Sequence, residues 1–473
     1  PNHPRGGMPS FSQILIAVRE AWTDRRSDLD DAGSRLTAAI ARQADISPDD
    51  APPPKGTFQS AALQLVAQHD SVWGGFGGAP KFPQAMGLET LLRYVLATGD
   101  PTALEVVTTT LDAMASGGIY DHLGGGFSRY SVDDRWLVPH FEKMLYDNAL
   151  LSRAYLHAWQ VTGHDRWFQV ASETIDYVRR DLRHPGGGFY SAEDADSEGV
   201  EGKFYIWSEK EIREVCRGDT EAALSWYGVT PKGNFEGANI LIRPERGALV
   251  RPEDVERSRV ALFRQRERRI RPGLDDKVLT EWNGLMLSTL AEAAAATGRT
   301  DWLEDAVSNA QFLWENLRRD DGRWMRSWQA EGGAQHLGYA ADHAAMVDGL
   351  VRLGEATGEA RWTDMAVDTA DTLLTRFSDQ YNGGFFTTGN DAETLITRPK
   401  DVFDNAHPSA NSLAALALLR LGALTGEGRF TDAAESVLRL LGRNAVRQPT
   451  AFGRLLEAID LFHSGTTEVV VTG

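Results

Sequence analysis

The chain has 473 residues, 42% hydrophobic and 25% charged, with a formal net charge of -18 at pH 7. That acidic balance excludes a protein built to hold a phosphate backbone, which needs a lysine and arginine surplus, so no nucleic-acid partner is expected. A single cysteine, Cys216, allows no disulfide within the chain and no cysteine-based metal site. This fits a reducing, cytoplasmic location, and no apolar run reaches the roughly 20 residues of a membrane span.

Residues 10–42 read as one long amphipathic helix, broken at most once, with Ile14, Val18, Trp22, Leu29, Leu36 and Ile40 at helical spacing. Pro52, Pro53 and Pro54 then make a linker by removing backbone donors and holding the chain extended. Residues 1–50 are too few to bury a core alone. They are expected to be the tail of another domain, or an arm lying on the main one.

From residue 57 the apolar periodicity predicts twelve helices, at 57–70, 84–97, 102–115, 140–161, 165–181, 278–296, 301–317, 339–356, 361–376, 408–424, 430–443 and 451–463. Two turn types alternate between them. One is Thr-Gly, at Thr98-Gly99, Thr162-Gly163, Thr297-Gly298, Thr357-Gly358 and Thr425-Gly426. In all but the first copy an aromatic residue follows four positions after the glycine. The other is glycine-aromatic, at Gly75-Phe76, Gly126-Phe127, Gly188-Phe189 and Gly384-Phe385, with a degenerate copy at Gly322-Arg323-Trp324. Repeated helical hairpins follow. Pairing the first helix with the last closes six hairpins into an all-α, (α/α)6 toroid over residues 57–465. Residues 466–473 read as a strand opening a further segment.

Every Thr-Gly link is short, so that end is expected to serve stability alone. The opposite links, 71–83, 116–139, 182–277, 318–338 and 377–407, are far longer than ordinary connections and mark the working rim. They lead into the first turns of the inner helices, which are unusually polar for inward positions. In the 140–161 helix, His140, Lys143 and Asp147 would share one face and Glu142 and Tyr146 another, with Asn148 beside them. A histidine beside carboxylates can move protons near neutral pH. The other first turns supply Lys81, Asp276, Lys277, Trp282, Asn283, Asp342, His343, Asp404, His407 and Asn411. The loops add His122, Arg129, Tyr130 and the acidic run containing Glu193, Asp194 and Asp196. That run departs from a calcium loop, because Tyr205 stands where a bidentate glutamate is required. No metal and no cofactor is expected. Tryptophans near the rim suit stacking on sugar rings, although Trp167, Trp302 and Trp362 at the other end read as core.

The run Gly74 to Pro83, the His140–Asn148 run, Glu193–Glu198 with Lys203-Phe204-Tyr205, and Asp276–Gly284 resemble the YyaL/spermatogenesis-associated protein 20 family over essentially the whole chain. The resemblance implies a thioredoxin-like domain ahead of a six-hairpin, glycosidase-like domain. Residues 6–11 and the following helix would then be the end of that first domain, which is expected as a partner in the full-length protein. It also implies, by analogy of fold only, a likeness to N-acylglucosamine 2-epimerases and glycoside hydrolases.

A small carbohydrate-like ligand is therefore expected in the rim cavity. Sugar 2-epimerase or isomerase chemistry would use histidines, with His122, His140, His343 and His407 as candidates. A glycosidase would use paired carboxylates, with Glu142, Asp147, Glu193 and Asp276 as candidates. A non-catalytic module binding a glycan or peptide for the thioredoxin-like domain is the remaining alternative. Among these, catalytic roles fall on His140, Glu142, Asp147, His407, Glu193 and Asp276. Ligand binding falls on Lys81, His122, Arg129, Tyr130, Lys143, Tyr146, Asn148, Asp194, Asp196, Lys277, Trp282, Asn283, Asp342, Asp404 and Asn411.

Overall fold

The structure, a computed structural model, describes residues 3–4, 7–44, 46–393 and 396–466. Helices α1 (Phe11–Asp24) and α2 (Arg26–Ala44) come first, broken once at Arg25. The ring begins with α3 (Gly56–Ala67), α4 (Ala85–Thr98), α5 (Pro101–Ser116), α6 (Leu145–Thr162) and α7 (Asp165–Asp181). Three helices occupy the longest connection: α8 (Glu209–Val215), α9 (Thr220–Trp226) and α10 (Glu253–Arg266). The ring resumes with α11 (Thr280–Thr297), α12 (Thr300–Leu317), α13 (Ala340–Thr357), α14 (Ala360–Phe377), α15 (Ala410–Thr425), α16 (Gly428–Arg447) and α17 (Gly453–Ser464).

The Thr-Gly turn has a local cause. Each glycine takes a left-handed conformation, as at Gly163 with φ 72°, which ends the helix without a Cβ penalty. Each threonine hydroxyl donates to the carbonyl four residues back, as from Thr162 to Ala158 at 2.7 Å. It also accepts from the N–H two residues on, as from Arg299 to Thr297 at 3.4 Å. The aromatic residue that follows fills the core, with Trp167, Trp302, Trp362 and Phe430 all buried.

The glycine-aromatic turn is locked by an inner-helix asparagine. Phe127 donates its N–H to Asn148 Oδ1 at 2.7 Å, and Asn148 Nδ2 returns a bond to the Phe127 carbonyl at 3.1 Å. Asn283 does the same to Phe189 and Asn411 to Phe385. These buried amides satisfy backbone groups that would otherwise be orphaned.

Contacts run in a closed circle, α4 to α6 to α11 to α13 to α15 to α17 and back to α4. These six helices form the inner wall of the (α/α)6 toroid, with α3, α5, α7, α12, α14 and α16 outside. The α11 and α13 walls meet closely because Gly284 lies against Ala345, where a Cβ would come within 2.7 Å of the Ala345 backbone. One hydrophobic core links both walls, and a smaller core of Trp207, Ile212, Tyr227 and Leu262 lies in the long connection.

The predicted 140–161 helix begins instead at Leu145. Pro139–His140 pairs with Tyr130–Ser131, and Lys143–Met144 pairs with Ala192–Glu193, which pairs in turn with Leu274–Asp275. Lateral backbone bonding takes the groups that a helix would need, so His140, Glu142 and Lys143 do not share helical faces with Tyr146 and Asp147. The predicted start at 278 likewise moves to Thr280, because Val278–Leu279 pairs with the hairpin strand Met325–Gln329.

Several apolar residues of α1 and α2 remain exposed, Trp22 at 56% and Leu36 at 63%. The following linker is tied down: Asp49 donates its N–H to the Arg439 carbonyl at 2.9 Å, and His463 Nε2 lies 2.7 Å from the Pro53 carbonyl. Among the described residues no helix is long and apolar enough to cross a membrane. The strand expected within 466–473 falls on residues 467–473, outside the described residues.

Candidate active site

The long links deliver the chain to the first turns of the inner helices, and α6, α11 and α13 meet there. Glu281, in the first turn of α11, is nearly fully buried and receives three partners. Arg326 Nη1, from the Met325–Gln329 strand, donates to Glu281 Oε2 at 2.7 Å. The same nitrogen donates to Asp342 Oδ1 at 2.9 Å, and Asp342 also accepts the Glu281 backbone N–H at 2.9 Å. The third partner is His407, whose Nδ1 lies 2.8 Å from Glu281 Oε1. Burial opposes a charge on His407, but the Glu281 hydrogen bond and carboxylate outweigh it and raise its pKa to about 9. His407 is therefore an imidazolium at neutral pH, with Nε2 left over. Burial raises the Glu281 pKa, whereas His407 and Arg326 lower it, and the net direction is down.

Tyr146 stands against this pair, its ring centroid 5.4 Å from His407 and 4.8 Å from Trp282. Next to it, Asp147 is 5% exposed and its Oδ2 has no partner. Burial drives its pKa well above the usual carboxylate range, more than Arg129 and His407 can offset. Burial thus favours the protonated form of Asp147 over that of an ordinary carboxylate.

Arg129 lies beside Tyr146 and, through Nη1, hydrogen-bonds Glu142 Oε2 at 3.3 Å. Glu142 lies 3.5 Å from His140 Nε2, whose Nδ1 meets Glu201 Oε1 at 2.7 Å. Tyr130 stacks on His140 at 5.0 Å, and Phe82 packs on Tyr130 at 4.7 Å. The hairpin carrying these groups is shaped by Asp133, whose carboxylate accepts the N–H groups of Arg135, Leu137 and Val138. A cleft of about 420 Å³ lies next to this group, lined by Phe82, Gln84, Asp404, Asn405, Ala406 and Ala451 but not by the side chains of His407 or Asp147.

Of the residues singled out from sequence, His140, Glu142, Tyr146, Asp147, Arg129, Tyr130, Trp282, Asp342 and His407 form this connected group. The rest hold the scaffold or lie outside it. Lys81 is fully buried on Asp70, at 2.6 Å, and on the Asp134 carbonyl. His122 is buried with Nε2 at the Gly117 carbonyl, and burial lowers its pKa to about 4. His343 is likewise desolvated, to about 3, between the Tyr339 carbonyl and Arg323. Lys143 bridges Asp121 and the Gly125 carbonyl, and Glu193 is bound by Arg271 and Tyr177. Asn148, Asn283 and Asn411 are the turn locks described above. Asp404 caps α15 and α17 through the N–H groups of Ser409 and Arg454. Asp194, Asp196, Asp276 and Lys277 are exposed; Asp276 accepts from Gln329 and Lys277 pairs with Asp275.

Sequence reading placed Glu281 among the polar first turns without giving it a role, and left out Arg326 and Asp401. Glu281 had the visible signal of a carboxylate in the first turn of an inner helix. Arg326 and Asp401 come from irregular links whose direction no periodicity reveals. Asp401 caps the Ala410 N–H, and burial raises its pKa beside Glu281 and His407.

No protein-family model matches the chain. Among curated proteins it is 35% identical to human spermatogenesis-associated protein 20, over 99% of this chain and 67% of that protein. The rat protein of the same name is 34% identical over 99% and 66%. The chain thus spans about two thirds of the length of these relatives. Among solved structures it is similar to a D-mannose isomerase (TM-score 0.58, 10% identity, 86% of this chain and 96% of that one). A cellobiose 2-epimerase from Bacillus thermoamylovorans gives TM-score 0.56 at 11% identity, over 82% and 87%. An unsaturated glucuronyl hydrolase specific for heparin gives TM-score 0.53 at 12% identity, over 87% and 96%. At these identities the likeness is one of fold, and the fold is that of carbohydrate-processing enzymes.

Proposed function

The chain belongs to the spermatogenesis-associated protein 20 family, and from its rim chemistry we propose that it is a sugar epimerase or isomerase working at His407. The observation that carries this reading is the His407–Glu281 pair set beside the buried Asp147 carboxyl, whose Oδ2 has no partner, and the rings of Tyr146 and Trp282. The aromatic rings give an apolar face of the kind that stacks on a sugar.

The substrate is an open-chain aldose whose C2 proton is acidified by the C1 carbonyl. His140, whose Nδ1 is held by Glu201, removes that proton through Nε2 as general base. Asp147 donates to the C1 oxygen as negative charge develops there, giving an enediol. The His407 imidazolium gives a proton to C2 while the Asp147 carboxylate takes back the O1 proton, which restores the C1 carbonyl and yields the epimer; delivery to C1, with Asp147 taking the O2 proton instead, yields the ketose, and exchange with solvent resets the two histidines. Glu281 holds His407 in position and keeps it charged.

The test is deuterium exchange. Reducing hexoses and cellobiose incubated with the protein in D2O are expected to gain deuterium at C2, read by NMR, with the C2 epimer or ketose accumulating. Absence of exchange across these sugars contradicts the reading. A second reading, glycoside hydrolysis, draws on Asp147 as the protonated acid and Glu281 as a carboxylate; it predicts new reducing ends without C2 exchange.

A further inference from the structure

The cleft next to the His407 group has walls that lead toward both acting histidines. Phe82 forms one wall. Its ring lies 4.7 Å from that of Tyr130, which lies 5.0 Å from the His140 ring, so a strip of packed rings runs from the cleft to His140. Asn405 and Ala406 form another wall, and the chain passes from them directly into His407. The short turn Pro449–Ala451, ahead of α17, supplies Thr450. The links before α4, α15 and α17 thus meet around about 420 Å³ of open space, a volume within the usual range of small-molecule sites.

The lining carries no free charge. Its one ionisable side chain is Asp404, and both carboxylate oxygens are in use: Oδ1 accepts the Ser409 N–H and Oδ2 the Arg454 N–H, each at 2.8 Å. No lysine, arginine or histidine is among the described lining residues, so nothing there would balance an anionic group. What faces the space is neutral: the amides of Gln84 and Asn405, the Thr450 hydroxyl and the Phe82 ring, which is 36% exposed.

Local structure does not account for these groups. Gln84 stands at the N-cap of α4 and makes no side-chain cap bond. Asn405 donates from Nδ2 to the neighbouring Phe403 carbonyl at 3.1 Å, with Oδ1 left for an incoming donor. Neutral donors and acceptors around an exposed ring suit the hydroxyls and the apolar C–H face of a pyranose.

We propose that this cleft is a subsite for a neutral glycosyl unit attached to the reacting sugar. The preferred substrates are then reducing disaccharides and longer neutral glycans, ahead of free hexoses and ahead of sugars carrying a uronate or phosphate. The second ring stacks on Phe82 while the open-chain end lies against Tyr146 and Trp282. What happens at that reducing end rests on the epimerase or isomerase reading above.

The test is calorimetric titration of the whole chain with non-reacting sugar alcohols. Sorbitol presents the reducing end alone, and cellobiitol and maltitol carry a β- or α-linked glucosyl unit on that same alcohol. One of the two is expected to bind about tenfold or more tighter than sorbitol, and its glucuronosyl analogue to lose that gain. Gln84→Ala combined with Thr450→Val removes the amide and the hydroxyl without breaking a helix cap, so the thermal stability should stay near that of the parent. This double variant is expected to bring the disaccharide alcohol down to the level of sorbitol. If neither disaccharide alcohol binds tighter than sorbitol, or the gain is unmoved by the double variant, the subsite is overturned. A gain in affinity without C2 exchange from any sugar supports the subsite and removes the isomerase reading; C2 exchange without a gain does the reverse.

Discussion

His407→Ala is expected to lower the rate of C2 proton exchange by about 10²- to 10⁴-fold, the usual worth of a positioned acid or base. Glu281→Gln should give a different signature. The carboxylate is what keeps His407 charged up to about pH 9. The imidazolium is present through neutral pH and is lost as pH rises through about 9. With glutamine the His407 pKa falls, so the alkaline limb of the rate profile should move to lower pH. Asp342 remains to hold Arg326 in that variant, which limits collateral disorder. A profile with an unmoved alkaline limb would separate Glu281 from the chemistry, and undiminished exchange in His407→Ala would remove His407 from it.

Asp121→Asn should be among the most destabilising single changes, at about 3–5 kcal/mol by denaturant or thermal unfolding. Asp121 is buried and paired with Lys143 at 2.9 Å and Arg266 at 2.8 Å. Burial raises its pKa, but the two cations hold it well below the usual range. The change to a neutral amide leaves two buried cations without their counterion. It also uncouples α10 and the long connection from the sheet beneath α6. Turnover per folded molecule should stay near the parent value, because Lys143 and Glu193 serve this scaffold. A large loss of kcat at unchanged stability would return Lys143 to the reacting groups.

The toroid was legible because its turns are local. A left-handed glycine after threonine and an aromatic residue after glycine are written within a few residues, and they repeat. Polar residues entering the ring were harder. Asn148, Asn283 and Asn411 look like ligand-binding amides in sequence, but each turns back on a phenylalanine backbone brought there by the preceding link. Nothing in the linear pattern separates an amide facing a cavity from one facing a carbonyl. Lys143 falls in a strand that exists only because residues 192–193 and 274–275 arrive from far along the chain, and His140 in one that pairs back on Tyr130–Ser131. The buried ion pairs at the Thr-Gly end were hidden for another reason: Arg153, Arg352 and Arg420 sit singly in three apolar helices and meet Glu292 and Asp348 only when the ring closes.

The most direct measurement is a structure of the chain with a non-reacting open-chain sugar alcohol such as mannitol. The expected result is a polyol against Trp282 and Tyr146, with one hydroxyl on His407 Nε2 and another on Asp147 Oδ2. A polyol seated elsewhere on the ring, with His407 and Asp147 untouched at saturating concentration, would contradict the assignment of this rim as the working site.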